Sequence, residues 1–373
     1  TCHKTHIPES VNHYRWLRGQ NHYDSFLQSG VSGHRVDSFY YPDRAVPRCS
    51  ACHMPLQVSD DPAARDFNDS GTRHIHGHQF PGANTGIAHM VGLPESVIDT
   101  HRDQLTGVTR VDIFGIKEDG HITGKLHAPL RPGLPSLEPG RKYLLEIVVR
   151  TTGVGHHLTQ GTSDSNELWL DVTATAGERV IGRSGARDET GRVDPWSYFL
   201  NSYVLDRDGN RIDRRNGQDI FVPLYNHQIP PGAASVVHYL LEVPRDIREP
   251  VVIEANLNYR KFDTTYMQHM LGDEFTVNDL PITTMASDRI ELPVGKGQDD
   301  MGFDLHPVAE NERWNDYGIG LLREGESGSN KGELRQAEQA FRQVEALGDM
   351  DGAMNLARVY FKEGRVNEAS QAL

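Results

Sequence analysis

The sequence predicts a multidomain protein: a loop- and helix-rich N-terminal region, then a β-sandwich, then α-helical repeats. Three observations lead to this fold class. Histidines are concentrated in the first hundred residues, alternating apolar residues separated by Gly, Pro and Asp turns begin near residue 104, and helix-forming residues dominate from residue 312. The 373 residues leave room for roughly two or three domains of about 150 residues. The predicted boundaries are 1–103, 104–300 and 301–373.

Composition narrows the classes of function. The chain has 38 Lys and Arg against 52 Asp and Glu, a formal net charge of −14, and its mean hydropathy is −0.56. No stretch approaches about 18 consecutive apolar residues, so we expect no membrane span. An acidic chain without a cluster of Lys or Arg would be repelled by phosphate, so nucleic acid is not an expected partner.

The most informative motif is Cys49-Ser50-Ala51-Cys52-His53, a complete C-x-x-C-H. This spacing is typical of covalent c-type haem attachment, in which each thiol forms a thioether and the histidine binds the iron. A redox disulfide and half of a zinc site are the alternatives. A redox C-x-x-C usually follows a strand, whereas Pro47 and a Tyr-Pro loop precede this one. A zinc ribbon needs a second C-x-x-C, and the sequence has none.

Cys2 and His3 have the form of a second C-x-x-C-H whose first cysteine precedes Thr1. This interpretation explains the odd count of 3 cysteines, and it predicts at least two haem c groups and a longer polypeptide. The alternative is a lone thiol at Cys2 with a histidine next to it by chance.

Residues 1–103 contain eleven of the 19 histidines but little apolar periodicity. Such a composition suits haems, which supply apolar bulk themselves, better than it suits an ordinary protein core. A six-coordinate haem c needs a distal ligand besides the proximal histidine, and a neutral imidazole is well suited to that role.

Three segments, NHYDSF at 21–26, CHMP at 52–55 and HGHQFPGANT at 76–85, resemble multihaem c-type cytochromes. The resemblance implies that His78, and upstream His22, are distal ligands of the iron. Each histidine could instead be an ordinary surface or hydrogen-bonded imidazole. Further candidate ligands in the same region are His6, His13, His34, His74 and His76.

From residue 104 the alternating pattern predicts a β-sandwich with strands at 108–114, 143–149, 167–172, 199–205, 236–243 and 251–257. The segment VGHHLTQGT at 154–162 also resembles the multihaem family, although Thr159-Gln160 stands where the family usually has Pro-Thr. We expect His156 either to reach a haem of the N-terminal region or to pack at the end of a strand.

The last region predicts helices at 314–323, 333–347, 352–362 and 366–373. Small and large apolar residues recur there with an offset close to the tetratricopeptide repeat period of about 34 residues. Tetratricopeptide-like repeats, with the array continuing beyond Leu373, are therefore expected, and a helical hairpin that caps the β domain is the alternative.

The favoured function is electron transfer through bis-histidine haems, because an iron with ligands on both faces has no open site for a substrate. Its partners would be neighbouring haems of the same longer chain, redox proteins or copies of itself. One alternative is part of a multihaem oxidoreductase acting on nitrogen or sulfur oxyanions, and another is a haem-bearing assembly protein. Haem c is attached outside the cytoplasmic membrane, so we expect a periplasmic or extracellular protein of a bacterium or archaeon.

Overall fold

The structure, a computed structural model, describes residues 9–12, 22–34, 38–40, 42–159, 165–295, 305–326 and 331–373. In the N-terminal region, short helices are joined by loops and a small hairpin. The helices are α1 (Glu9–Asn12), α2 (His22–Leu27), α3 (Ser50–His53), α4 (Thr85–Met90) and α5 (Glu95–Leu105), and the hairpin strands are β1 (Leu56–Val58) and β2 (His74–His76). The region is rich in loops and helices as expected, and α5 runs across the predicted boundary at residue 103.

Two antiparallel sheets follow. The first contains, in spatial order, β11 (Ala234–Glu242), β5 (Lys142–Thr151), β3 (Thr109–Glu118) and β4 (Leu126–His127). The second contains, in spatial order, β13 (Ile282–Leu292), β12 (Val251–Arg260), β6 (Glu167–Ala176) and β7 (Arg179–Ser184), with β8 (Tyr198–Phe199) also paired to β6. Strands β9 (Ser202–Leu205) and β10 (Val222–Asn226) form a separate pair, and α6 (Thr264–Leu271) follows β12.

The C-terminal helices cover one face of the first sheet. They are α7 (Glu310–Glu326), α8 (Lys331–Ala346), α9 (Met350–Lys362) and α10 (Val366–Ala372). Helix α7 packs on β11, β5 and β3, while β3 also contacts β12 and β13 of the second sheet. Strands β3 and β5 are therefore buried at nearly every position, whereas β12 and β13 alternate between buried and more accessible residues. A strand that is covered on both faces loses the alternation that a half-buried strand shows.

Each of the six predicted strands and four predicted helices occurs near its expected position. The predicted strand 199–205 is divided, because β8 pairs with β6 while β9 pairs with β10. Strand β13 and helix α6 are not among the predicted elements. The segment of β13 carries Thr, Ser, Asp and Arg among its apolar residues, which obscured its alternation, and its pairing with β12 reveals it as a strand.

One continuous apolar core joins the two sheets to the C-terminal helices, from Leu105 to Ala369. At its centre the ring of Phe114 on β3 stacks on Tyr317 of α7, with centroids 4.4 Å apart. Among the residues that the structure describes, no helix is both long and apolar enough to cross a bilayer. The protein is therefore a mixed α/β structure with antiparallel sheets and C-terminal helices, and the boundaries between its domains stay predictions.

Candidate functional site

The motif Cys49–His53 forms a single helical turn. The N–H of His53 donates to the carbonyl of Cys49 (3.0 Å), and the N–H of Met54 donates to the carbonyl of Ser50 (2.9 Å). Residues at positions i, i+3 and i+4 of a helix share one face. The turn therefore brings Cys49, Cys52 and His53 to the same side, which is what two thioethers and one imidazole ligand to a single haem require.

Both thiols of the motif are free and exposed at the surface. Desolvation by the surrounding protein nevertheless raises the pKa of the Cys52 thiol, and the neighbouring Cys49 raises it further. Redox-active C-x-x-C motifs lower a thiol pKa so that the nucleophilic thiolate forms. Cys52 is the second cysteine of the motif, and the raised pKa of its thiol does not distinguish a redox disulfide from haem attachment.

The imidazole of His53 is half-buried and held in one orientation. Its Nδ1 lies 2.7 Å from the carbonyl oxygen of Pro81, and its ring stacks on Phe80 with centroids 4.9 Å apart and an angle of 11° between the planes. A carbonyl oxygen only accepts hydrogen bonds, so Nδ1 carries the proton and Nε2 of the neutral ring keeps its lone pair. Metal-binding histidines are oriented in this way, with the second ring nitrogen donating to a fixed oxygen.

Phe80, which forms part of this support, has an unusual backbone conformation. Its φ is 50°, in the left-handed region that costs a residue other than glycine about 1–2 kcal/mol. Such strain persists where the surroundings determine the conformation, and it occurs often at functional sites. Here the strained residue places its own ring on His53 while the next residue, Pro81, supplies the acceptor for Nδ1.

Hairpin β1–β2 carries two further candidate ligands. Its register pairs Leu56 with His76 and Val58 with His74, and side chains two apart in a strand share one face. The Nδ1 of His76 donates to the carbonyl of Met54 (2.7 Å), directly after the C-x-x-C-H turn. The Nδ1 of His74 donates to the carbonyl of Thr72 (2.9 Å). In the neutral form of each ring, the lone pair is therefore on Nε2.

His78, the distal ligand that the family resemblance implies, is exposed. Its Nδ1 donates to the carbonyl of His76 (3.1 Å), a local contact within the segment that follows β2. His34 is exposed too. Other candidate groups lie outside the described residues: Cys2, His3, His6, His13 and the side chain of His22. Their roles stay predictions.

His156 is brought to the motif by the loop that follows β5. Its ring lies parallel to that of His53, with centroids 6.2 Å apart and 8° between the planes. Its Nδ1 donates to the carbonyl of His157 (3.0 Å). His156 therefore lies beside the motif of the N-terminal region, and its contact with a haem stays a prediction.

His101, which was not singled out as a candidate, is buried on α5 beside this segment. Its Nδ1 lies 2.9 Å from the carbonyl oxygen and 3.1 Å from the backbone nitrogen of Gly82, so the ring holds the residue that follows Pro81. The sequence does carry a signal for it: Ile98, His101 and Leu105 lie at helical spacing on the buried face of α5. We interpret His101 as a positioning residue.

The segment 80–86 is also attached to the second sheet. The hydroxyl of buried Tyr259 on β12 donates to the carbonyl of Ala83 (2.7 Å). A Cβ on Gly86 would lie 2.8 Å from the Cβ of Lys261, just beyond the same strand. Glycine therefore allows the start of α4 to approach the β region closely, and the sheet supports the residues that orient His53.

The surroundings of the motif contain little apolar core. In the part of the chain described before residue 105, the buried apolar side chains are Phe26, Ala64, Ala88 and Ile98. The large apolar side chains exposed in the same part are Tyr23, Leu56, Val58, Phe67, Phe80, Ile87, Met90, Val91 and Leu93. Exposed apolar side chains of this number are suited to contact with another apolar group. Porphyrin rings held beside α3 and β1–β2 would be such a group.

Among the residues that the structure describes, Asp112, Asp288 and His306 lie close enough together to hold a metal ion. Its carboxylates are already paired, with Arg313 on Asp112 (2.8 and 2.9 Å) and Arg131 on Asp288 (2.6 and 2.8 Å). Burial lowers the pKa of His306. With two guanidinium groups balancing two carboxylates, this cluster is a structural link between α7 and the sheets.

Comparison with known proteins places little constraint on this site. No family model matches the chain, and no curated protein sequence is similar to it. A penta-heme cytochrome c552 from Thermochromatium tepidum is similar with a TM-score of 0.40 and 14% identity, over 72% of this chain and 50% of that chain.

Two further structures are similar at lower scores. The sporulation control protein Spo0M from Bacillus subtilis has a TM-score of 0.20 and 10% identity, over 58% of this chain and 56% of that chain. The C-terminal domain of wzt has a TM-score of 0.22 and 10% identity, over 55% of this chain and 83% of that chain. These scores are low, so the function has to be argued from the residues.

Proposed function

We propose that this protein is an electron-transfer c-type cytochrome that carries at least two covalently bound haems. The observation that carries the proposal is the arrangement of α3. Two free thiols and one imidazole lie on the same face of a turn, and the carbonyl of Pro81 holds that imidazole with Nε2 unprotonated.

In this function Cys49 and Cys52 would form the two thioethers, and His53 would bind the iron through Nε2. Thioether formation adds each S–H across a haem vinyl group without net oxidation, so this step needs no oxidant. Haem held in this way supplies an iron that gains and loses one electron. Cys2 and His3 would hold a second haem in the same manner.

The wider architecture supports a relay protein. We propose that the two facing sheets form a β-sandwich and that α7–α10 are tetratricopeptide-like repeats. Both would present surfaces to redox proteins or to copies of the same chain. Because haem c is attached outside the cytoplasmic membrane, the protein would work in the periplasm or outside the cell.

The proposal is tested by expressing the protein in a bacterium that matures c-type cytochromes and measuring its intact mass and pyridine haemochrome spectrum. We expect the polypeptide mass plus one haem for each complete motif present. Cys49→Ala and Cys52→Ala should each leave one thioether at this haem, which shifts the α band of the haemochrome. Ser50→Ala in the same turn is the matched control and should leave it unchanged.

Two results would overturn the proposal. A mass equal to that of the bare polypeptide would exclude covalent haem at α3. Stoichiometric binding of carbon monoxide by the reduced wild-type protein would show an open iron, and it would favour an oxidoreductase over a carrier.

A further inference from the structure

The loop that carries His156 is anchored on both sides. Leu158 and Ile229 exchange backbone hydrogen bonds of 2.9 and 2.8 Å directly after it. Before it, Gly155 packs on α2, since a Cβ at that residue would lie 3.4 Å from Cδ2 of Phe26. His156 is therefore presented to the N-terminal region by backbone that the β region holds in place.

The distance between the rings of His53 and His156 is informative. Two metal–imidazole bonds of about 2 Å each, plus roughly 1 Å from each bonded nitrogen to its ring centre, separate two axial imidazoles by about 6 Å. The observed centroid distance is 6.2 Å, and the ring planes are within 8° of parallel. His53 also stacks on Phe80 with centroids 4.9 Å apart, a much shorter separation than the 6.2 Å to His156.

The protonation of the two rings points to the same role. The Nδ1 of His53 donates to Pro81, and the Nδ1 of His156 donates to His157, in each case to a carbonyl oxygen. In the neutral form of each ring, Nε2 is therefore the nitrogen with the lone pair that a metal would bind. A pair of imidazoles of one tautomer, at this spacing, matches the two axial ligands of one iron.

We propose that His156 is the distal ligand of the haem attached to Cys49 and Cys52, opposite His53. This inference rests on the proposed function and adds the pairing of ligands. The haem would then connect the N-terminal region to the β region, and its iron would be closed to substrates. His78, which the family resemblance implies as a distal ligand, would be left for another haem.

The test compares three single variants of the full chain after haem incorporation: His156→Ala, His157→Ala and His78→Ala. His157→Ala is the matched control, because it removes a neighbouring imidazole but keeps the backbone carbonyl that accepts from His156. We expect His156→Ala to convert about one haem per chain from low-spin to high-spin and to bind about one equivalent of carbon monoxide when reduced. Added imidazole should restore the low-spin spectrum.

His156→Met guards against a folding defect in the alanine variant. A thioether ligand keeps the iron six-coordinate and raises its reduction potential, so one haem should titrate at a higher potential while remaining low-spin. A purely structural role for His156 would produce neither this shift nor the rescue by imidazole.

The outcomes separate this inference from the proposed function. A protein without covalent haem would refute the proposed function itself. Covalent haem whose spin state is unchanged in His156→Ala would refute the ligand assignment alone, and a high-spin haem in His78→Ala instead would transfer the role to His78. A spin-state change of equal size in His157→Ala would also refute the assignment.

Discussion

Tyr259→Phe removes the hydroxyl that ties β12 to the segment supporting His53. Tyr259 is 1% exposed, and its hydroxyl donates to the carbonyl of Ala83 over 2.7 Å. Burial raises the pKa of Tyr259 well above its ordinary value, so the hydroxyl stays protonated and donates over the whole accessible pH range. Phenylalanine keeps the ring and leaves the Ala83 carbonyl without this donor.

Loss of one partner of a buried hydrogen bond costs about 1–3 kcal/mol. If the free energy of local opening of residues 80–86 decreases by this amount, the open population rises roughly fivefold to a hundredfold. The conversion is about 1.4 kcal/mol for each factor of ten. Hydrogen exchange measured by mass spectrometry should therefore accelerate in peptides that cover residues 80–91. The amide of Ala88, which donates to Asn84, is one of the reporters.

Tyr143→Phe is the matched control. Tyr143 is 6% exposed, and its hydroxyl accepts from the N–H of Glu138 (2.9 Å), away from the N-terminal region. This variant should lose global stability without faster exchange at 80–91. Unchanged exchange there in Tyr259→Phe, or an equal acceleration in Tyr143→Phe, would refute the claim that the sheet supports the segment next to His53.

Two further predictions concern the attachment of the C-terminal helices. Tyr317→Phe should lower the free energy of unfolding by about 1.5–3 kcal/mol, because the fully buried carboxylate of Glu146 loses a donor at 3.1 Å. The control is Tyr360→Phe, since the hydroxyl of Tyr360 donates to the more accessible Glu338. In the same denaturant titration this control should lower the free energy of unfolding by less. Burial lowers the pKa of His306, so the native state binds fewer protons than the unfolded state, and stability should fall as the pH drops below about 6.5. The charged groups facing His306 are Asp112, Asp288, Arg131 and Arg313. The thermal midpoint should fall more between pH 7 and pH 5.5 in the wild type than in His306→Asn. An equal fall in the two proteins would contradict the claim that protonation of His306 destabilises the native state.

Local patterns in the sequence were sufficient for much of the fold. Spacing of i, i+3 and i+4 places Cys49, Cys52 and His53 on one face of any helical turn, whatever surrounds it. Alternating apolar residues predicted β12, and the helical pattern predicted α9 with its end at Lys362. These features depend on interactions between residues close in the chain, so periodicity alone reveals them.

Periodicity did not predict other features, because they depend on partners far away in the chain. Glu146 lies in an apolar run and looks misplaced until Lys117 (2.9 Å) and Tyr317 (3.1 Å), from two other elements, surround its carboxylate. Strand β13 is recognised by its pairing with β12 rather than by its composition. In each case the deciding interaction forms only after the chain has brought distant elements together.

The histidines show the same division most clearly. The sequence by itself determined that the N-terminal region is rich in imidazole, that it contains one complete C-x-x-C-H, and that it lacks the apolar residues for a core of its own. Only the tertiary structure decided that the ring of His156 lies beside that of His53. Motif spacing is local, whereas the position of His156 depends on the path of β5 and on how its loop packs against α2. For that reason the family resemblance points to His78, while the folded chain brings His156 to the ring of His53.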